Sequence, residues 1–111
     1  MNKNNIVYLK HIQDALEKIE EFIIGINKKE FFENDLVQSA VIRKLEIVGE
    51  DSNKVSQEFR NKHDNFPWSQ MVGMRNKLIH DYFGVDLEIV LETIKKDVPK
   101  LKTKVDKLLD K

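Results

Sequence analysis

The sequence contains no cysteine, only two prolines and only four glycines in 111 residues. Without cysteine, the protein has neither a disulfide framework nor a thiolate metal site. Because glycine and proline are the main turn formers, their scarcity disfavours a sheet protein with many turns and favours amphipathic helices. The composition therefore predicts an all-α fold.

An excess of charge of one sign is also lacking, since Lys plus Arg and Asp plus Glu both number 19. No strong overall field attracts the protein to nucleic acid or to a membrane, so any polyanion must be bound locally. No stretch approaches the roughly 18 apolar residues of a membrane span, and the charged N-terminal segment does not fit a signal peptide. We expect a soluble, cytoplasmic protein without membrane contact.

The length suits one domain, so we expect residues 1–111 to form a single helical domain. In the first segment, apolar residues recur at spacings of three and four, which predicts a helix from about residue 6 to about residue 27 that packs along its neighbours. These residues are Leu9, Ile12, Leu16, Ile19, Ile23 and Ile26. The following "NKKEFFEND" is predicted to be a connection in which Asn34 or Asp35 caps the next helix.

A second helix is predicted to reach about Lys62, with a plausible bend near Gly49. Its inward-facing residues are predicted to be Leu36, Ala40, Val41, Leu45, Val48, Val55 and Phe59. A third helix is predicted to begin near Pro67, because proline suits the first helical turn. Its packing residues are predicted to be Trp68, Met71, Val72, Leu78 and Ile79.

Gly84 is placed to end the third helix and Asp86 to cap a fourth. Pro99 must kink this fourth helix or restart it, because a proline inside a helix removes a hydrogen bond and costs about 3 kcal/mol. Leu101, Val105 and Leu108 continue the apolar pattern in a last helix. The chain therefore predicts an antiparallel bundle of four to five helices.

The segment "MRNKLIHDYF" brings together Arg75, His80 and Tyr82. On a regular helix, His80 lies about 140° round from Arg75, whereas Tyr82 returns to within about 20° of it. A regular helix would thus place Arg75 and Tyr82 on one surface and His80 on another. An unwound end near Gly84 would let His80 swing back, and a second subunit could also close the gap.

This motif and its surroundings, "SAVIRKLEIVGE", "FPWSQMVGMRN" and "GMRNKLIHDYFGVDLEIV", closely resemble the HepT-like toxins of the HEPN superfamily. The signature of that family is Arg, four residues, His, one residue and Tyr, which Arg75, His80 and Tyr82 match without a gap. The resemblance implies a HEPN-like helical bundle and a metal-independent ribonuclease of a type VII toxin–antitoxin system. It also implies a homodimer in which the Arg and His pairs face each other in a cleft.

The resemblance further implies a partner, a small MntA-type nucleotidyltransferase that silences the toxin by attaching AMP to the motif tyrosine, here Tyr82. Asn76, which follows the arginine, is often a supporting polar residue in such sites. The expected partners are thus a second copy, the nucleotidyltransferase antitoxin and an RNA substrate, and no cofactor is implied.

The residue types suit this chemistry. Cleavage without a metal uses the 2′-hydroxyl of RNA as nucleophile, so it needs a proton acceptor, a proton donor and positive charge on the phosphoryl oxygens. Histidine serves either proton role near neutral pH, and arginine offers a planar, permanently charged fork. DNA lacks the 2′-hydroxyl and should be untouched. In a twofold dimer, two copies of His80 and Arg75 can converge on one phosphate, which supplies both a base and an acid.

Two other interpretations remain open. The chain could be a non-catalytic nucleotide- or polynucleotide-binding subunit of a nucleotidyltransferase, with Arg75 as phosphate anchor, or a helical adapter that only dimerises. An adapter does not need the arginine, histidine and tyrosine together, whereas binding and cleavage ask for the same groups.

The remaining polar residues point to ordinary roles. His11 and His63 lack the paired spacing of metal ligands, so we expect no metal site. Arg43 and Lys44 could reach a polyanion, but an exposed helix face explains them equally well. Glu46 and Glu50 share a helical face at a spacing of four, where like charges repel, so a role in the site is conceivable.

Overall fold

The computed structural model of this chain describes residues 3–80 and 84–110, except for the side chain of His80. Within these ranges the fold is all α, as predicted, with seven α-helices and one π-helical turn (Thr93–Asp97). The α-helices are α1 (Lys3–Phe22), α2 (Lys28–Glu33), α3 (Asp35–Lys54), α4 (Gln57–Lys62), α5 (Trp68–His80), α6 (Leu87–Glu92) and α7 (Val98–Leu109). Four of them are long, because α2, α4 and α6 have six residues each.

The helix starts are fixed by side chains that accept hydrogen bonds from free backbone amides. Asn27 and Glu30 form a reciprocal capping box at α2, and the side chain of Asn34 accepts from the Val37 amide at α3. The side chain of Asp86 accepts from the amides of residues 88 and 89, which confirms its predicted role as the cap of α6. These local signals can be read from the sequence because each involves residues no more than three apart.

Several predicted boundaries are wrong. The first helix ends at Phe22 rather than near residue 27, in a turn where Gly25 has a φ of 73° that favours glycine. The predicted connection before α3 contains the helix α2. The predicted second helix is divided between α3 and α4, because Val55 takes an extended conformation and Ser56 caps α4 by accepting from the Phe59 amide.

Two residues predicted to face inward lie on the surface. Leu36, in the first turn of α3, is 80% exposed, and Ile79, near the end of α5, is 41% exposed. Periodicity places both on the apolar side of a helix, but neither position is covered by a neighbouring helix in the described part of the chain. The spacing of apolar residues could not show where the neighbouring helices end.

The long helices pack antiparallel. The start of α1 meets the end of α3, where Asn5 exchanges two hydrogen bonds with Ser56, each 3.0 Å long. Between α1 and α7, the side chain of Gln13 donates a hydrogen bond to Asp106 over 2.7 Å. This bond lowers the pKa of the Asp106 carboxyl below its ordinary value. Since α5 packs on the other side of α3, the bundle follows the order α5, α3, α1 and α7.

The buried apolar side chains form one cluster that includes every long helix. Its largest fully buried members are Phe31, Phe66, Leu9, Ile12, Leu16, Ile19, Leu45 and Ile94. Burying an aliphatic or aromatic side chain of this size stabilises the folded state by about 1.5–3 kcal/mol relative to exposing it. The packing of α1 on α3 and of α3 on α5 thereby fixes where the polar residues of α5 lie.

Pro99 lies in the first turn of α7, so the prediction that this proline restarts the helix is confirmed. The π-helical turn Thr93–Asp97 joins α6 to α7, and the Val98 amide donates to the carbonyl of Thr93, five residues back. This wider turn directly precedes the proline in the first turn of α7. Since proline has no amide hydrogen and crowds the preceding turn, a locally widened helix accommodates it.

Within residues 3–80 and 84–110, no helix combines the length and the apolar character needed to cross a membrane.

Candidate active site around Arg75

Arg75 lies in the last two turns of α5, and its side chain is 36% exposed. Its guanidinium is held close to the helix, because Nη1 donates to Oδ1 of the neighbouring Asn76 over 2.9 Å. Asn76, selected from the family resemblance, is therefore in contact with the motif arginine. The guanidinium is partly covered by protein but still reaches solvent, which suits a group that binds a ligand anion.

The position of Arg75 is fixed by a close approach between α3 and α5 at Gly49. A Cβ atom built on Gly49 would lie 2.2 Å from Cβ of Arg75 and 2.6 Å from the carbonyl oxygen of Met71. Only glycine fits there. The glycine predicted to allow a bend thus lies within the continuous helix α3, and the close contact with α5 explains it.

Two acidic residues of α3 lie beside this contact. Oε1 of Glu50 is 3.9 Å from Nε of Arg75 and 3.2 Å from Nη1 of Arg43, while Oε1 of Glu46 is 3.3 Å from that same Nη1. The pKa of Arg43 is raised above its ordinary value, mainly by the hydrogen bond to Glu46 and next by the hydrogen bond to Glu50. The two glutamates, four residues apart, repel each other, and this repulsion is offset by an arginine that bonds to both.

Nε of Arg75 is buried and has no hydrogen-bond partner among the described residues. Leaving a buried donor of a charged group unpaired costs about 1–3 kcal/mol or more, so a partner within reach has a large effect on its position. The Glu50 carboxylate lies just beyond hydrogen-bonding distance of this atom.

A cavity of about 240 Å³ lies where α5 faces α3 and α6. Its lining is mainly apolar, with one lysine and one aspartate: Leu45, Met74, Lys77, Leu78, Gly84, Val85, Asp86, Ile89, Val90 and Thr93. The cavity lies at the end of α5 that carries the motif, and its mainly apolar lining offers few groups for proton transfer.

The other predicted site residues lie partly outside the described structure. His80 is the last residue of α5, so its backbone is helical, but its side chain falls outside the description, and Tyr82 lies wholly outside it. The structure therefore brings together Arg75, Asn76 and Glu50, while the positions of the His80 and Tyr82 side chains stay predictions.

The two other histidines make structural contacts. Nδ1 of the exposed His11 lies 3.3 Å from Oδ1 of the buried Asp51, and the ring of His63 packs against Phe59 with centroids 4.3 Å apart. In the described ranges, no group of three or more His, Cys, Asp or Glu side chains could hold a metal ion.

Sequence reasoning missed the contact between Glu50 and Arg75. The signal was the pair Gly49–Glu50 within a long helix, since a glycine in a helix interior costs about 1 kcal/mol and suggests a packing reason. Which helix approaches that glycine depends on the tertiary fold, so the sequence alone could not name Arg75 as the neighbour of Glu50.

Comparison with known proteins shows the family of this chain. Residues 12–108 match the family model described as "Ribonuclease HepT-like". The chain belongs to this HepT-like family. The resemblance inferred from the motif and its surroundings is thereby confirmed at the level of the family.

Curated relatives of this HepT-like chain match it over nearly its whole length. A Thermococcus cleftensis protein named "Probable ribonuclease HepT" is 44% identical over 108 residues, which cover 97% of this chain and 98% of that protein. A Caldanaerobacter subterraneus protein provisionally named an RNase is 42% identical over 104 residues, 94% of this chain and 93% of that protein.

One relative is longer. A Methanocaldococcus jannaschii protein, whose name joins gamma-glutamylcyclotransferase with a provisional RNase, is 42% identical over 110 residues. The match covers 99% of this chain but only 50% of that protein, so the HepT-like chain spans half of its length. No solved structure matches the chain.

Proposed function

We propose that this HepT-like chain is a metal-independent endoribonuclease that acts in the cytoplasm, with Arg75 and His80 as its catalytic residues. The observation that carries the proposal is the placement of Arg75. Packing at Gly49 fixes its backbone, Asn76 holds one edge of its guanidinium, and the group still reaches solvent five residues before His80. Membership of the family and the names of the relatives support the same activity.

In this reaction the 2′-hydroxyl of a ribose attacks the adjacent phosphorus, and the bond to the 5′-oxygen of the next nucleotide breaks. One histidine accepts the hydroxyl proton and a second donates a proton to the leaving oxygen. The guanidinium of Arg75 stabilises the negative charge that develops on the phosphoryl oxygens. The products are a 2′,3′-cyclic phosphate and a 5′-hydroxyl.

A homodimer supplies the second histidine. The chain has one motif histidine, and in a twofold dimer each patch faces its own copy. Two copies of Arg75 and His80 then line one cleft.

The activity requires a silencing partner if the protein acts as a toxin. The match of Arg75, His80 and Tyr82 to the family signature supports a type VII toxin–antitoxin system, in which an MntA-type nucleotidyltransferase attaches AMP to Tyr82. The added phosphate brings negative charge and bulk close to where an RNA phosphate must bind, and like charges repel.

Replacing Tyr82 by phenylalanine is expected to make the ribonuclease resistant to silencing. The variant lacks the hydroxyl that accepts AMP, while its RNA cleavage without antitoxin should stay near that of the unaltered protein. The measurement is incorporation of labelled AMP, followed by an RNA cleavage assay. The replacement Tyr8→Phe on α1 is the matched control and should remain open to silencing. Equal labelling of Tyr82→Phe and the unaltered protein would contradict the assignment.

Incubation of the purified protein with RNA in excess chelator tests the proposed function. We expect fragments with 2′,3′-cyclic phosphate ends, no cleavage of DNA of the same sequence, and a rate lowered by about 10²- to 10⁴-fold in His80→Ala, the usual contribution of general acid–base catalysis. RNA that binds with Arg75-dependent affinity but stays intact would favour the alternative, a non-catalytic polynucleotide-binding subunit of a nucleotidyltransferase. Cleavage that needs a divalent metal would contradict the proposed mechanism.

A further inference from the structure

Oε1 of Glu50 lies between two guanidinium groups. It accepts a hydrogen bond from Nη1 of Arg43 over 3.2 Å and lies 3.9 Å from Nε of Arg75. The Glu50 side chain is only 27% exposed, so its charge is less screened than that of a fully solvated carboxylate. A single carboxylate oxygen therefore faces the motif arginine on one side and a second arginine of its own helix on the other.

The edge of Arg75 that faces Glu50 is the edge that lacks a partner. Nη1 is bonded to Asn76, whereas the buried Nε has no hydrogen-bond partner among the described residues. Among residues 3–80 and 84–110, Glu50 carries the acidic group that lies within 4 Å of Arg75. A shift of about 1 Å would turn this approach into a charge-assisted hydrogen bond of ordinary length.

We infer that Glu50 is a positioning residue for Arg75, an inference that rests on the proposed ribonuclease function. The Glu50 carboxylate attracts the Nε edge of the guanidinium from 3.9 Å while Asn76 accepts from Nη1, so the plane of the fork is held from two sides before it meets the RNA phosphate. Since the close packing at Gly49 fixes the backbones of both residues, the orientation of the fork is set before RNA arrives.

Arg43 sets how strongly Glu50 attracts Arg75. By accepting from Arg43, Glu50 shares its charge between two cations, and Arg75 is oriented without being locked into a closed ion pair. Arg43 also offsets a negative charge that would otherwise repel the incoming phosphate. Glu46 also accepts a hydrogen bond from Nη1 of Arg43, over 3.3 Å, so Arg43 is shared between the two glutamates.

The first test measures Arg75 in the folded protein without RNA. The side-chain Nε–H resonance of Arg75, assigned by its loss in Arg75→Lys, is followed by hydrogen exchange with water. Glu50→Gln should speed this exchange by roughly tenfold or more, because the negative charge that attracts the Nε edge is removed. Glu58→Gln, the same chemical change at an exposed glutamate of α4 that pairs with Lys62, should leave the exchange rate of Arg75 unaltered. Unchanged exchange in Glu50→Gln would overturn the inference.

The second test separates positioning from simple electrostatics. If Glu50 only adds negative charge near the site, Glu50→Gln should bind RNA more tightly with kcat unchanged or raised. Positioning predicts that kcat falls by roughly 10- to 100-fold with KM unchanged or lower, because a misplacement of about 1 Å in a reacting geometry has an effect of this size. A proportional fall in kcat and in folded fraction would indicate a merely structural role and would overturn the inference.

The shorter Glu50→Asp keeps the test decisive if Glu50→Gln folds poorly. It retains the charge but draws it back from Arg75, so exchange of the Nε–H and kcat should lie between the unaltered protein and complete loss of the carboxylate. If the unaltered protein fails to cleave RNA, the proposed function fails, whereas the exchange measurements still decide whether Glu50 orients Arg75.

Discussion

Replacing Arg75 by alanine is expected to lower the rate of RNA cleavage by about 10³-fold or more, the size of effect seen when a charge-stabilising donor or arginine is removed from phosphoryl-transfer and acyl-transfer sites. The Cβ that packs on Gly49 is kept, so α3 and α5 should stay in contact. Arg75→Lys should recover only part of the rate, because an ammonium cannot reproduce the planar fork. The measurement is the single-turnover rate on a labelled RNA.

Mixed dimers sharpen this prediction. If both guanidinium groups and both imidazoles serve one cleft, a dimer with one Arg75→Ala or one His80→Ala subunit should lose most activity rather than half of it. Lys62→Ala, which removes an exposed cation of α4 that pairs with Glu58, serves as the control and should cleave RNA at the unaltered rate. Retention of half the activity in mixed dimers, or full activity in a strictly monomeric variant, would contradict a shared site.

Replacing Gly49 by alanine is expected to destabilise the fold by about 1–3 kcal/mol despite the better helix propensity of alanine. The new methyl group would lie 2.2 Å from Cβ of Arg75 and 2.6 Å from the Met71 carbonyl oxygen, and neither atom is the free end of a flexible side chain. The helices α3 and α5 must therefore separate, which also moves Arg75 away from Glu50. The midpoint temperature of thermal unfolding should fall by roughly 5–15 °C, and cleavage of RNA should be lost.

Gly73 provides the matched control on α5. A Cβ built there meets nothing within 4 Å, and the residue is exposed in the helix interior. Gly73→Ala should therefore raise the free energy of unfolding by about 0.5–1 kcal/mol, because alanine loses less conformational freedom in a helix. If Gly49→Ala and Gly73→Ala raised stability alike, the close approach of the two helices would be contradicted.

The sequence predicted the local features well because they depend on neighbours in the chain. The all-α class, the cap at Asp86 and the start of α5 near Pro67 follow from residues within one helical turn. The break at Val55 and Ser56 was missed although Ser56 caps α4 locally, and the Asn5 side chain that also bonds to Ser56 comes from the start of α1. A contact between residues 51 positions apart has no local signature.

By itself, the sequence determined the helical class of this protein and the spacing of Arg75, His80 and Tyr82 that led to its family. Tertiary structure alone decided that Gly49 brings α3 against α5 and that Glu50 lies beside the buried Nε of Arg75. The physical reason is that periodicity fixes which residues share a face of one helix, whereas the packing of two helices fixes which faces meet.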